Sequence, residues 1–215
     1  MSHLTALAAT YGSRLLRRHF PDLLWHLPHG RREAYLTFDD GPTPSLTARL
    51  IDLLDRYDVR ATFFLIGSHA RRDPGLVRAL HAAGHTIGNH TYTHPDAWRT
   101  PVSRLISELE QTTALLEDLI QHPIRWMRPP YGRFTRAMRD WCRLRRQRLT
   151  MWDVMPADYL PGVTTAQVIR RVDRGVRAGS IVVLHDNPRT TRITPAALET
   201  LLPRYRDAGW RFRAL

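Results

Sequence analysis

The chain contains no lysine. All 32 of its basic residues are arginines, set against 20 acids, which gives a formal charge of +12 over 215 residues. It has one cysteine, Cys142, so an intramolecular disulfide and a cysteine-rich zinc module are both excluded. Between Trp141 and Arg143 on an expected helix, that thiol reads as a small packing residue. No apolar run reaches the roughly 18 residues that a membrane-spanning helix needs. The N-terminus lacks the unbroken apolar core and small-residue cleavage site of a secretory signal, so a cytoplasmic location is expected. Internal repeats, low-complexity tracts and any sign of a second domain are absent too.

What is present suits one well-buried core: 43% hydrophobic and 24% charged residues over a length at which α/β barrels are single domains. An arginine-rich surface favours anionic partners such as nucleic acid, acidic lipid headgroups or a charged glycan, although genome composition alone also raises arginine over lysine. With no long basic tail and no basic stripe interleaved with aromatics, no specific nucleic-acid partner is expected. The composition says nothing of oligomeric state.

Residues 1–32 read as an N-terminal arm and 33–215 as a single folded domain. In the arm Leu4, Leu7, Ala8, Tyr11, Leu15 and Leu16 recur at helical spacing among Arg14, Arg17 and Arg18. Such a helix either makes peripheral contact with an anionic membrane or packs on its own domain. Residues 23–27 read as a short extended piece.

From Ala34 the chain alternates strand and helix. Strands are expected at 35–38, 61–65, 85–88, 124–127, 149–154, 180–184 and 211–214. Helices are expected at 45–57, 74–83, 102–120, 135–144, 165–176 and from Thr194-Pro195 to Gly209, the last bent by Pro203. The helix over 102–120 has an apolar stripe that includes Val102, Leu105 and Leu109, and an opposite face with Glu108, Glu110, Glu117 and Asp118. Seven strands alternating with helices imply an α/β fold with a parallel sheet, which at this length can close into a barrel.

In such a barrel the loops at the C-terminal ends of the strands build the active site. The first strand ends in Asp39-Asp40-Gly41-Pro42. Two adjacent acids there either solvate a turn or face different partners, one holding a metal and the other taking a proton. The third strand leads to His90 and His94, four apart, which on one face of a helical turn would coordinate a divalent metal jointly. The same spacing also describes two capping or surface histidines. With Asp40 they make a two-imidazole, one-carboxylate set that leaves positions open for water. Asp39 would then be the general base and His185, from another strand, the general acid. Arg128 would salt-bridge Asp39 and hold it ionised and oriented. Asp158 would partner His185. Asp153 competes for that role, but its place on a strand suits a structural one better. Asp186, beside His185, also belongs to the expected mouth.

The motifs TFDDGP, NHTYTH, RPPYG, WDVMPADY and VVLHD, in this order, resemble the NodB-homology polysaccharide deacetylases, carbohydrate esterase family four. The match runs from about Ala34 to the C-terminus. The resemblance implies a distorted (β/α)7 barrel and a metal-dependent hydrolase that removes N-acetyl groups from amino sugars of a glycan or oligosaccharide, chitooligosaccharide or peptidoglycan-like. It implies Asp39 as base, Asp40, His90 and His94 as metal ligands, Arg128 as the tether of the base, Asp158 as support of His185, and the Tyr131 backbone N–H as an oxyanion donor. Pro130, Tyr159 and Val183 are the expected substrate-side neighbours. The expected cofactor is one divalent ion, Zn2+ first, with Co2+, Ni2+ or Mn2+ as alternatives. The sequence departs from the family where Tyr159 replaces a Trp, Val183 a Leu and Met155 an acid, which blurs the acyl pocket. Two other functions stay open: deacetylation or deformylation of a lipid-linked sugar amide at the inner membrane surface, and a catalytically silent glycan-binding barrel.

Overall fold

The computed structural model describes residues 17–27 and 31–215, so the expected arm helix over 4–16 lies outside the described residues. The first half of the domain runs β1 (Glu33–Asp39), α1 (Pro44–Arg56), β2 (Thr62–Leu65), α2 (Gly67–Arg72), α3 (Pro74–Ala82), β3 (Thr86–Asn89) and α4 (Val102–Ile120). The second half runs β4 (Trp126–Met127), α5 (Arg136–Leu144), β5 (Arg148–Leu149), α6 (Thr165–Gly175), β6 (Ile181–His185), α7 (Ile193–Asp207) and β7 (Arg211–Arg213).

The seven strands form one sheet in the order β5-β4-β3-β2-β1-β6, and every pairing is parallel. β7 joins the start of β1 at Glu33–Tyr35, below the stretch where β2 takes over at Thr37. The sheet curls into the distorted barrel that the motifs implied. Alternation along β1 sets its two faces. Leu36 and Phe38 point outward into the main core with Leu46, Leu50 and Leu54 of α1 and Leu198 of α7. Thr37 and Asp39 point inward, where both meet the guanidinium of Arg128.

The open seam between β5 and β6 is filled by the segment before the domain. The Leu24 N–H donates to Leu149 and its carbonyl accepts from Met151, while the Leu27 N–H donates to Gly179. Leu23, Leu24 and Trp25 are buried there, so the short extended piece expected at 23–27 is a strut of the barrel. Gly179 makes this approach feasible. Its φ is +86°, and a Cβ on it would lie 1.6 Å from the Leu27 carbonyl oxygen.

Four expectations need correction. The short helix α2 had no apolar periodicity to announce it. Strand five ends at Leu149 rather than at 154, because the carbonyls of Thr150 and Met151 turn to Arg128 instead of to a neighbouring strand. α7 starts at Ile193 and runs through Pro203, and Thr194 is not its N-cap, because the hydroxyl donates to Asp158. Along α4, Val102 is exposed and Glu108 is buried, the reverse of the expected faces.

Replacing Gly179 by Ala combines a left-handed φ with a backbone clash. Urea unfolding of Gly179→Ala should show a loss of at least about 2 kcal/mol.

Candidate active site

Because all strands run the same way, their C-terminal ends open on one rim, and a cleft of about 700 Å³ lies there. Its lining includes Asp39, Asp40, His90, His94, Tyr131, Tyr159, Val183 and His185. Asp39 ends β1 pointing inward. Its Oδ1 accepts a 2.7 Å hydrogen bond from Arg128 Nη1, and its Oδ2 lies 4.0 Å from His90 Nε2. Asp40 follows with φ +80°, which carries its side chain out of the strand's alternation to the imidazoles. Its Oδ1 is 3.5 Å from His90 Nε2 and 3.4 Å from His94 Nε2.

The two histidines do not share a helical turn. They stand on an irregular loop in which Thr91 and His94 have φ of +64° and +60°. Side chains replace the missing helical bonds. Asn89 Oδ1 accepts from the Thr91 N–H, and buried Glu108 of α4 accepts from the N–H groups of Tyr92 and Thr93 and from the Thr93 hydroxyl. His90 Nδ1 lies 2.7 Å from the carbonyl oxygen of Arg128, and a proton donated there leaves Nε2 as the free ligand atom. Donor atoms of Asp40, His90 and His94 all lie within 4.8 Å of one another. This donor set, two imidazoles and a carboxylate around a common point, fits a divalent metal with open positions. Burial opposes ionisation of Asp40, but the hydrogen bond with His90 and the imidazoles of His185, His90 and His94 outweigh it and hold the carboxyl well below the usual range. Burial, followed by the neighbouring His90, pushes His94 down to about 4, which keeps it neutral as a ligand must be.

Opposite the three, His185 ends β6. Its Nδ1 is 2.8 Å from Asp158 Oδ1, and its backbone N–H donates to Oδ2 of the same carboxylate. Burial works against the imidazolium, but the charge and hydrogen bond of Asp158 prevail and lift the pKa to about 9. Asp153 is elsewhere, holding His26, Ser180 and the Ile181 N–H beneath β6. Arg128 is fully buried, its guanidinium 4.2 Å above the Phe64 ring. Tyr131, with φ +58° in the 3-10 turn Pro130–Gly132, is largely exposed and sets its ring edge against His94. Pro130 is buried and starts that turn without lining the cleft. Tyr159 packs edge-on to His185, and burial with the nearby Asp158 raises its phenol pKa.

Asp186, expected at the mouth, turns away from it. It is fully buried beneath Gly41, accepts from the Thr47 hydroxyl, and burial lifts its pKa to about 7. Three participants escaped the sequence reading. Asn187 Nδ2 donates 2.8 Å to Asp40 Oδ2, with its amide orientation fixed by Oδ1 accepting from the Arg189 N–H. His69 Nδ1 lies 2.9 Å from the Asp40 carbonyl oxygen. Glu108 was readable in part, since it falls on the same stripe as Leu105, Leu109 and Thr112.

The family profile described as Polysaccharide deacetylase matches residues 26–145. A peptidoglycan-N-acetylglucosamine deacetylase of Bacillus cereus is 33% identical over 191 residues, spanning 87% of this chain and 88% of that protein. A chitooligosaccharide deacetylase of Sinorhizobium fredii is 35% identical over 200 residues, with 86% and 91% covered. Among solved structures, the Bc1960 peptidoglycan N-acetylglucosamine deacetylase superposes with a TM-score of 0.86 at 29% identity, covering 90% of this chain and 91% of its own. The chain belongs to the polysaccharide deacetylase family and is a hydrolase of N-acetyl amides.

Proposed function

We propose that this chain hydrolyses the acetamide of N-acetylglucosamine units in a peptidoglycan-like glycan or a chitooligosaccharide, with Asp40, His90 and His94 holding Zn2+. The single observation that carries this reading is the meeting, in one cleft, of that donor set with an Arg128-tethered Asp39 and an Asp158-paired His185. When bound, the ion supplies Lewis-acid polarisation of the carbonyl and acidifies water. Asp39 accepts a proton from the water that adds to the carbonyl carbon, and Arg128 keeps that carboxylate aimed at the cleft. The Tyr131 N–H offers a donor to the oxyanion. His185 delivers its proton to the amide nitrogen as the C–N bond breaks, releasing acetate and the free amine. Tyr159, Trp152 and Val183 form the wall on the acetyl side. A silent glycan-binding barrel has no use for both proton-transfer groups, and that reading is set aside.

Asp39→Asn should lower kcat by about 10²–10⁴-fold while the protein keeps its metal in elemental analysis. Near-normal turnover in that variant overturns the base assignment. His90→Ala/His94→Ala should lose the roughly one ion per chain that the wild type carries. If neither protein takes up metal after incubation with Zn2+, the hydrolytic reading of this donor set fails.

The pH profile tests His185. A pKa raised in the folded protein leaves the imidazolium fully formed below the ordinary histidine value and lost as pH rises through about 9. A cation beside it lowers that limit, so activity should fall on the basic side at or below about pH 9. Removing the anion in Asp158→Asn should move this limb acidward. A basic limb unmoved by Asp158→Asn refutes the pairing.

A further inference from the structure

Tyr131 and Arg133 belong to the lining of the cleft, and a third side chain, Trp98, stands beside them outside it. Trp98 lies in the loop after β3, Tyr131 and Arg133 in and after the turn that follows β4. Among the described residues four large hydrophobic side chains are exposed, and Trp98 and Tyr131 are two of them, at 68% and 63%. Trp25 and Trp141, which serve the core, are 3% and 4% exposed. The Arg133 guanidinium lies over both exposed rings, its Cζ 4.8 Å from the centroid of Trp98 and 5.9 Å from that of Tyr131. Tyr131 in turn meets His94, ring centroid to ring centroid at 4.6 Å. The series His94, Tyr131, Arg133, Trp98 therefore leads from the donor set of the cleft out to open surface.

Trp98 is exposed but held. Its backbone N–H donates 3.1 Å to Asp96 Oδ1, and its indole N–H donates 3.3 Å to the Phe134 carbonyl. Arg133 pairs with the same Asp96 carboxylate, and the Phe134 ring sits edge-on to Phe20 with centroids 4.9 Å apart. A ring fixed in this way gives up little conformational freedom when a ligand lands on it. Single exposed apolar residues are ordinary, whereas clustered aromatic rings at the edge of a cleft mark a ligand-binding groove. The chemistry narrows the ligand. A β-linked glucosamine-type pyranose carries its substituents around its equator and presents C–H bonds on its faces, so it stacks on an aromatic ring while its hydroxyls reach polar groups at the edge. Arg133 and Asp96 offer a donor and an acceptor there. Because Trp98 stands outside the cleft lining, it meets a further unit of the glycan and not the unit that reacts.

We propose that Trp98, with Arg133 and Tyr131, forms a subsite for a pyranose unit beyond the one being deacetylated, so that the enzyme selects oligomers over disaccharides. The subsite rests on the deacetylase reading of the cleft, and its test separates the two.

Binding is measured first, by calorimetry on the full chain carrying Asp39→Asn and incubated with Zn2+, using the β-1,4-linked disaccharide and pentasaccharide of N-acetylglucosamine. The pentasaccharide should bind at least about ten-fold more tightly, and adding Trp98→Ala should cost it about ten-fold, the scale of one tryptophan anchor at an interface. Trp98→Tyr keeps a ring and should recover most of that loss. Leu144→Ala truncates a side chain that is also exposed, at the end of α5, and should bind as the Asp39→Asn parent does. Thermal unfolding of each variant separates lost binding from lost structure. In the active enzyme, Trp98→Ala should raise KM for the pentasaccharide about ten-fold with kcat kept, the signature of binding shared by ground and transition states. No binding of the pentasaccharide, equal affinity for the two sugars, or a pentasaccharide affinity that Trp98→Ala leaves unchanged overturns the subsite. So does self-association of the protein that is lost in Trp98→Ala, which gives the rings to a second copy of the chain. Trp98-dependent glycan binding without turnover by the native enzyme leaves the subsite standing and refutes the deacetylase reading instead.

Discussion

The guanidinium of Arg128 is the point on which the site and the barrel wall both depend. It is wholly out of solvent, and burial pulls its pKa down against the opposing pull of Asp39. Its donors reach Thr37 and Asp39 on β1 and the carbonyls of Thr150 and Met151 after β5, joining opposite walls of the barrel. Its own carbonyl oxygen accepts from His90 and so selects the ring nitrogen turned toward Asp40. One residue thus orients Asp39, the proposed base, by its side chain and His90, a proposed metal ligand, by its backbone. A buried charge of this kind is costly unless every donor is met, and removing its partner would strand it, at about 3–5 kcal/mol. Stability and catalytic geometry are therefore tied to the same hydrogen bonds.

Around this centre lies a ring of supports. Glu108 replaces the helical bonds missing from the His90–His94 loop, Asn187 takes the outer oxygen of Asp40, and Thr194 takes the outer oxygen of Asp158. Asp40 and His94 hold positive φ, a conformation that costs a non-glycine residue roughly 1–3 kcal/mol unless its surroundings fix it. Those supports are what fix it. The loop after β6 serves twice, carrying Asn187 to Asp40 on one side and, through the Thr190 hydroxyl on the His185 carbonyl, steadying His185, the proposed acid, on the other.

Much of this was legible in the residues. Strand and helix positions came from patterns of period two and 3.6, which are local properties of the chain, and the helix over 102–120 is found at those bounds. The chemistry-bearing residues were legible because a parallel barrel gathers whatever follows its strands at one rim. Misreadings fell where a distant partner overrode a local preference. Thr194 looked like a cap until Asp158 claimed its hydroxyl. Glu108 looked solvent-facing until the loop before α4 claimed its carboxylate. Asp186 looked like a neighbour of His185 at the mouth, but strand alternation sends it to the other face, under Gly41.

The sequence alone determined the alternation of strands and helices, the rim on which the polar residues collect, and the identity of the groups able to move protons and hold an ion. Each of these follows from short-range spacing and side-chain chemistry. The tertiary structure alone decided which of those groups meet. Arg128 and Asp39 are 89 residues apart, Asn187 and Asp40 are 147, and the 23–27 strut closes the seam against residues far along the chain. Contacts at such separations leave no periodicity to read. They exist only once the curled sheet has brought β1, β4, β5 and β6 around a common interior.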